Sequence, residues 1–168
     1  MNYPEWLKTI PKELSEDALW RMEVYRTALF VGDVAWFDVT KLIQDRRTLG
    51  LSSQLYEAMG SISSNISEGY SRSSHKDQAR FYEYSLGSAR ESRNWYWKGR
   101  HVLTEKVALH RIQLLTQIVR HLLNIIPTQR GQALHEESPP YRVSNFEMSS
   151  DVSLEALLSN IPLPPSDT

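Results

Sequence analysis

An all-α fold is predicted: an antiparallel up-down-up-down four-helix bundle with a flexible acidic C-terminal tail. Three observations point to it. Between residues 15 and 126 the apolar residues recur at steps of three and four, the period of one helix face. The breaks between those stretches are short, which makes successive helices antiparallel neighbours. From Pro127 onward proline, serine and acidic residues dominate, a composition poorly suited to building a core. The chain divides accordingly into an irregular N-terminal arm over 1–14, a bundle over 15–126 and a mostly flexible tail over 127–168.

The arm holds Pro4, Trp6 and Pro11. Ser15, followed by Glu16 and Asp17, supplies a helix start, a cap and then acids at the positive end of the dipole. The first long helix carries a heptad, Met22, Tyr25, Leu29, Gly32, Trp36, Val39 and Ile43, expected as its core seam. Phe30, Val34 and Phe37 form a second stripe beside it, and so wide an apolar arc implies more than one neighbour. This helix should stop before Gly50. The second starts at Ser52 or Ser53 and turns Leu55, Met59, Ile62 and Ile66 to one face, with Gly69 as its stop and 71–74 as the turn. The third starts at Ser74, three residues before Asp77, in a capping-box arrangement. Its expected stripe is Phe81, Tyr84 or Ser85, Ser88, Ser92, Trp95, Gly99 and Val102. The fourth runs from Thr104 or Glu105 to Asn124 or Ile126, stopped by Pro127. It carries Val107, Leu114, Ile118, Leu122 and Ile125 beside a second stripe of Ala108, Leu115, Val119 and Ile126. In the tail, DVSLEALLS (Asp151–Ser159) can make one short amphipathic helix that docks on the bundle or on a partner.

The 168 residues suffice for one sizeable core. Cysteine is absent, which excludes disulfides, thiolate metal sites and a thiol nucleophile. The first twenty residues are polar and do not read as a signal peptide, and no run approaches a membrane span. A cytoplasmic location is expected. The net charge of −1 hides an uneven distribution. Residues 1–69 carry seven Lys/Arg against ten Asp/Glu, 70–111 nine against four, 112–130 two against none, and 131–168 one against six. A basic middle between acidic ends fits a polyanion-binding face or ordinary solvated helix surfaces.

Three stretches, GLSSQL (Gly50–Leu55), SISSNISEG (Ser61–Gly69) and YSLGSARES (Tyr84–Ser92), resemble landmarks of one bacterial family. It comprises the small four-helix-bundle proteins encoded by intervening sequences in 23S rRNA genes, whose stretches look like GLTSQ, SIPSNIAEG and ALGSLAE. The resemblance covers roughly Met22 to Ile126. It implies the four-helix fold. A related branch, the accessory protein of diversity-generating retroelements, implies a barrel-like homopentamer that binds a reverse transcriptase and nucleic acid through basic surfaces. This chain departs from the pattern in Tyr56 and Glu57, where the family often has a basic pair, and in its pI of about 6.5. The arm before Met22 and the tail after Pro127 look like additions.

Asn65, Glu68 and Arg72 share one helix face, and Glu68 can pair with Arg72 at i, i+4. Asn65 and Glu68 are expected to act as a structural polar signature, hydrogen-bonded between helices to fix register. The basic set Arg72, Lys76, Arg80, Arg90, Arg93, Lys98 and Arg100, flanked by Trp97, is the nucleic-acid-binding candidate. Side chains so spaced can track phosphates while a ring stacks a base. Trp95, Tyr96 and Trp97 are consecutive and point about 100° apart on a helix, so one core cannot take all three, and they are the candidates for an oligomer interface. The five histidines lack metal-ligand spacing, and neither a phosphate loop nor a nucleophile elbow is present. No catalytic residue, metal or cofactor is expected. Two readings follow. The first is a non-enzymatic homo-oligomer, pentameric by the resemblance, that binds RNA or DNA as accessory to a reverse transcriptase or other nucleic-acid enzyme. The second is a protein–protein adaptor whose 128–168 tail recruits a partner.

Overall fold

Four long helices follow the apolar periods in the computed structural model, which describes residues 2–130 and 152–165. Two short helices, α1 (Tyr3–Leu7) and α2 (Lys12–Ser15), and a 3-10 turn over Ala18–Arg21 precede them. The bundle is α3 (Glu23–Leu42), α4 (Leu49–Tyr70), α5 (His75–Leu103) and α6 (Glu105–Gln129), and α7 (Leu154–Ser159) lies apart near the C-terminus. Helix α5 packs between α4 and α6, while α3 lies against α4 and more lightly against α6. The α4–α5 pairing is antiparallel: Gly69 meets Tyr82, the Ile62 carbonyl meets Ser85, and Leu51 meets Gly99.

The expected stripes of α4 and α6 are the observed core, except that Ile125 is only half-buried against it. Leu55, Met59, Ile62 and Ile66 are buried, as are Val107, Ala108, Leu114, Leu115, Ile118, Val119, Leu122 and Ile126. Elsewhere the boundaries differ. Ser15 closes α2 instead of opening the first long helix, because Asp17 caps the 3-10 turn through Leu19 N–H and Met22 is extended at φ −76° and ψ 110°. Helix α4 starts at Leu49, so Gly50 lies inside it. Gly69 is not a left-handed stop. A Cβ there would fall 2.7 Å from the Tyr82 ring, so the residue is small to admit α5. Ser74 caps α5 by accepting from Asp77 N–H, one of the two bonds of the expected capping box. Helix α6 continues through Pro127 to Gln129. The Pro127 ring costs one bond to the carbonyl of Leu123, a residue on the exposed side. Thr104 alone joins α5 to α6, at φ 82°, a strained value for a β-branched residue.

The seam expected on α3 is only partly the observed one. Val24, Thr27, Ala28, Val31, Val34, Ala35, Asp38 and Leu42 face inward. Of the heptad beginning at Met22, Val39 is buried and Met22, Tyr25 and Leu29 are half-buried against the core, whereas Trp36 is 59% and Ile43 52% exposed. The second expected stripe explains the wide apolar arc. Phe30 is covered by the N-terminal arm, whose Trp6 is buried and stacks edge-on against it at 5.2 Å. The Trp6 indole N–H donates to Asp33 Oδ2 at 2.6 Å. Further along the same flank, Phe37 borders Leu163, Pro164 and Pro165. Helix α7, capped by Ser153 and burying Leu157 and Leu158, packs on α6 and reaches α1. The arm and residues 152–165 therefore form a second layer beside the bundle. Part of the tail expected to be flexible, 131–151 and 166–168, lies outside the described residues.

Candidate nucleic-acid interface

Helix α5 carries most of the basic candidates on its outer surface, and four of them lie over aromatic rings. The Arg72 guanidinium is 4.7 Å from the Phe81 centroid, Arg80 5.5 Å from Tyr84, Lys98 4.4 Å from Trp95 and Arg100 4.0 Å from Trp97. Arg80 Nε also donates to the Tyr84 hydroxyl at 2.7 Å, and Arg100 to the Trp97 carbonyl at 2.6 Å. The ring faces hold the cations at fixed positions along the helix. Arg90 and Lys76 are exposed, and Arg93 is half-buried. Burial, then the adjacent Arg90 charge, lowers the Arg93 guanidinium below its ordinary value. It remains charged, since arginine does not lose its proton in proteins, and two neighbouring cations attract an anion.

The structure adds residues that the sequence did not single out. The α3–α4 turn and the end of α5 meet at one end of the bundle, where Lys41, Gln44, Asp45, Arg46, Arg47, His101 and Val102 line a shallow cleft of about 610 Å³. Arg47 is committed to Asp45, whose carboxylate those hydrogen bonds hold well below its usual range. Arg46 is exposed. The basic face of α5 thus continues past Arg100 onto a different connection. Its cations were masked in the sequence by the net acidity of residues 1–69. The Arg46–Arg47 dipeptide in a turn is the signal that could have found them.

The aromatic triplet divides. Tyr96 is fully buried and its hydroxyl donates to Asp38 Oδ2 at 2.9 Å, which removes it from the interface candidates. Trp95 is half-buried, with its indole N–H on Glu91. Trp97 is 46% exposed, with Arg100 over its ring. Asn65 and Glu68 do not fasten helices together. Asn65 donates to the Ser61 carbonyl of its own helix, and Glu68 pairs with Arg72 at the surface. Ser61, Ser64 and Ser71 likewise back-bond one turn earlier. The serine that crosses between helices is Ser85, donating to the Ile62 carbonyl at 2.9 Å.

Register is instead fixed by a buried cluster. Arg111 on α6 forms a bidentate pair with Asp38 on α3, Nε to Oδ2 at 2.8 Å and Nη2 to Oδ1 at 3.1 Å, both side chains fully buried. Its Nη2 also donates to the Pro162 carbonyl, and its Nη1 lies 2.8 Å from His110 Nδ1. A guanidinium has only donors, so Nδ1 accepts, and the His110 proton sits on Nε2 and donates to the Leu157 carbonyl at 2.9 Å. Burial, then the Arg111 charge, pushes His110 down to about 4 against the raising effect of that carbonyl. Burial, then Asp38, pushes the Tyr96 phenol well up. All four titratable groups are bonded to one another or to the C-terminal segment, so the cluster is a fastener. Among the described residues no three His, Asp or Glu side chains gather as a metal site, and no helix is long and apolar enough to cross a membrane.

A family model described as 23S rRNA-intervening sequence protein matches residues 21–124. No curated protein and no solved structure matches the chain. The matched stretch takes in the basic face and the Asp38–Arg111 pair, but neither the arm over 2–20 nor residues 152–165.

Proposed function

Since the chain belongs to the 23S rRNA-intervening sequence protein family, we propose that it is a non-enzymatic homo-oligomeric scaffold that binds RNA or DNA through its basic surface. The resemblance to the retroelement branch suggests a pentamer serving a reverse transcriptase or another nucleic-acid enzyme. The observation that carries the reading is the set of ring-backed cations on the flanks of α5, with Arg46 of the α3–α4 turn beside His101 at the end of that helix. Cations so held neutralise phosphates and release counterions, while an exposed indole such as Trp97 offers a stacking surface. Residues 152–165 sit on the α3–α6 side, and their one carboxylate, Glu155, is exposed.

Self-association is supported by the exposed Trp36 and Ile43 of α3. Trp36 meets Tyr56 of α4 ring to ring at 6.1 Å, and both are exposed. This apolar patch joins Trp95 and Trp97 as an interface candidate, whereas Tyr96, being buried, does not serve as one. The adaptor reading needs α7 presented outward, whereas Leu157 and Leu158 are buried on the bundle, so no observation favours it.

Fluorescence anisotropy with labelled single-stranded RNA and DNA, at low and moderate salt, tests the binding. Affinity should fall steeply with salt, and the double variant Arg46→Glu/Arg90→Glu should weaken it by roughly tenfold or more. Absence of binding at low salt by a folded protein would sink the reading. Light scattering gives the assembly state, and Trp36→Glu should lower the mass.

A further inference from the structure

Residues 152–165 occupy the groove between α3 and α6, and the way they are held says what the groove reads. The polar contacts are made to main-chain carbonyls: His110 Nε2–H to Leu157 and Arg111 Nη2–H to Pro162. The apolar contacts come from the buried pair Leu157 and Leu158. Beyond them Leu163, Pro164 and Pro165 line a cleft with Phe37, Thr40, Lys41 and Gln44 of α3. The fitting ligand is therefore a short helix with an adjacent leucine pair, followed by a proline-bearing extended stretch. The donors are positioned from inside the bundle, because Asp38 grips Arg111 and Arg111 fixes the His110 ring. A groove whose donors are preset by the core loses less free energy to ordering when a peptide binds.

We propose that this groove is a peptide-binding site whose occupant is exchanged between copies, segment 152–165 of one chain seating on the α3–α6 groove of a second. The proposal rests on the homo-oligomeric reading above. A second copy's segment is the occupant because the identical sequence already fits. Seats on the same chain and on a neighbour make the same contacts, so chain closure and effective concentration decide between them. From Arg130 back to His110 is about 30 Å along α6 at 1.5 Å per residue. Residues 131–151 span at most about 70 Å when extended. The surplus reach covers an adjoining subunit.

The absence of cysteine makes single labels unique. Full-length Thr40→Cys protein is mixed with full-length Leu163→Cys protein, both sites being exposed and lining the one cleft. The mixture is treated with a short bismaleimide and run on a denaturing gel. Exchange predicts a covalent dimer that neither variant gives alone. The dimer should be lost when the Leu163→Cys chain also carries Leu157→Ala and Leu158→Ala, with circular dichroism confirming that each chain is folded. No dimer in the mixture, or a dimer indifferent to the leucine pair, overturns the proposal. Light scattering on the same samples separates the two readings. An oligomer without the dimer removes exchange and leaves the scaffold. A monomer without it removes both, and a leucine-dependent dimer from a monomeric stock keeps exchange alone.

Discussion

Withdrawing Arg111 and Asp38 from water costs several kcal/mol per ion, and four hydrogen bonds from the guanidinium offset that cost. The pair is therefore asymmetric to mutation. Asp38→Asn leaves the buried guanidinium without its counter-charge and should cost on the order of 3–5 kcal/mol, read as a lower denaturant midpoint with unchanged slope. Asp45→Asn breaks a pair whose arginine is 85% exposed and should leave the midpoint where it is. Thr27 gives the opposite sign. Its hydroxyl is buried in the α3 core face with no hydrogen-bond partner, so it carries a desolvation cost without return. Thr27→Val keeps the shape and removes the polar atom, and should stabilise by about 1 kcal/mol. A drop in the midpoint would show that the hydroxyl is satisfied in solution.

At the scale of elements, α7 and α6 are joined through a histidine whose protonation opposes the joint. His110 is pushed to about 4 when folded and returns to about 6.5 when exposed. Between those values the unfolded chain binds a proton that the folded chain does not, so stability is complete above about pH 6.5 and falls as pH drops toward 4. The loss is on the order of 3 kcal/mol. Thermal melts from pH 7 to 5 should show a slope that His110→Gln flattens, and equal slopes in both proteins would reject the assignment. Helices α4 and α6 were legible in the sequence because each has one dominant apolar side and its period leaves no choice. Helix α3 was not. It is apolar on three flanks, and the flank that faces inward holds Asp38, which makes it look like the weaker one. Its partner Arg111 lies 73 residues away, beyond any local pattern. Part of the basic row on α5 was legible as charge spacing. Its continuation at Arg46 was not, because only the fold brings the α3–α4 turn beside His101.

The whole molecule presents three surfaces around α3: the bundle core, the flank covered by the arm and residues 152–165, and the exposed patch around Trp36 and Tyr56. Only the last lacks a cover among the described residues, and it coincides with two helix glycines that packing within the chain does not explain. A Cβ at Gly32 or Gly60 would meet nothing within 4 Å. Each therefore costs roughly 0.5–1 kcal/mol of helix stability relative to alanine, with no close contact in the chain to compensate. A second copy pressed against α3 and α4 supplies the compensation, since a glycine lets another backbone approach. Gly87 on α5 is equally open but lies away from the α3 heptad, and it serves as the control. Gly87→Ala should raise the melting temperature and leave the mass by light scattering unchanged. Gly32→Ala/Gly60→Ala should raise the stability of the dilute, dissociated chain by about 1–2 kcal/mol and shift the concentration for assembly upward. If the double variant is stabilised and assembles at the same concentration as the parent, the α3–α4 face is not where copies meet.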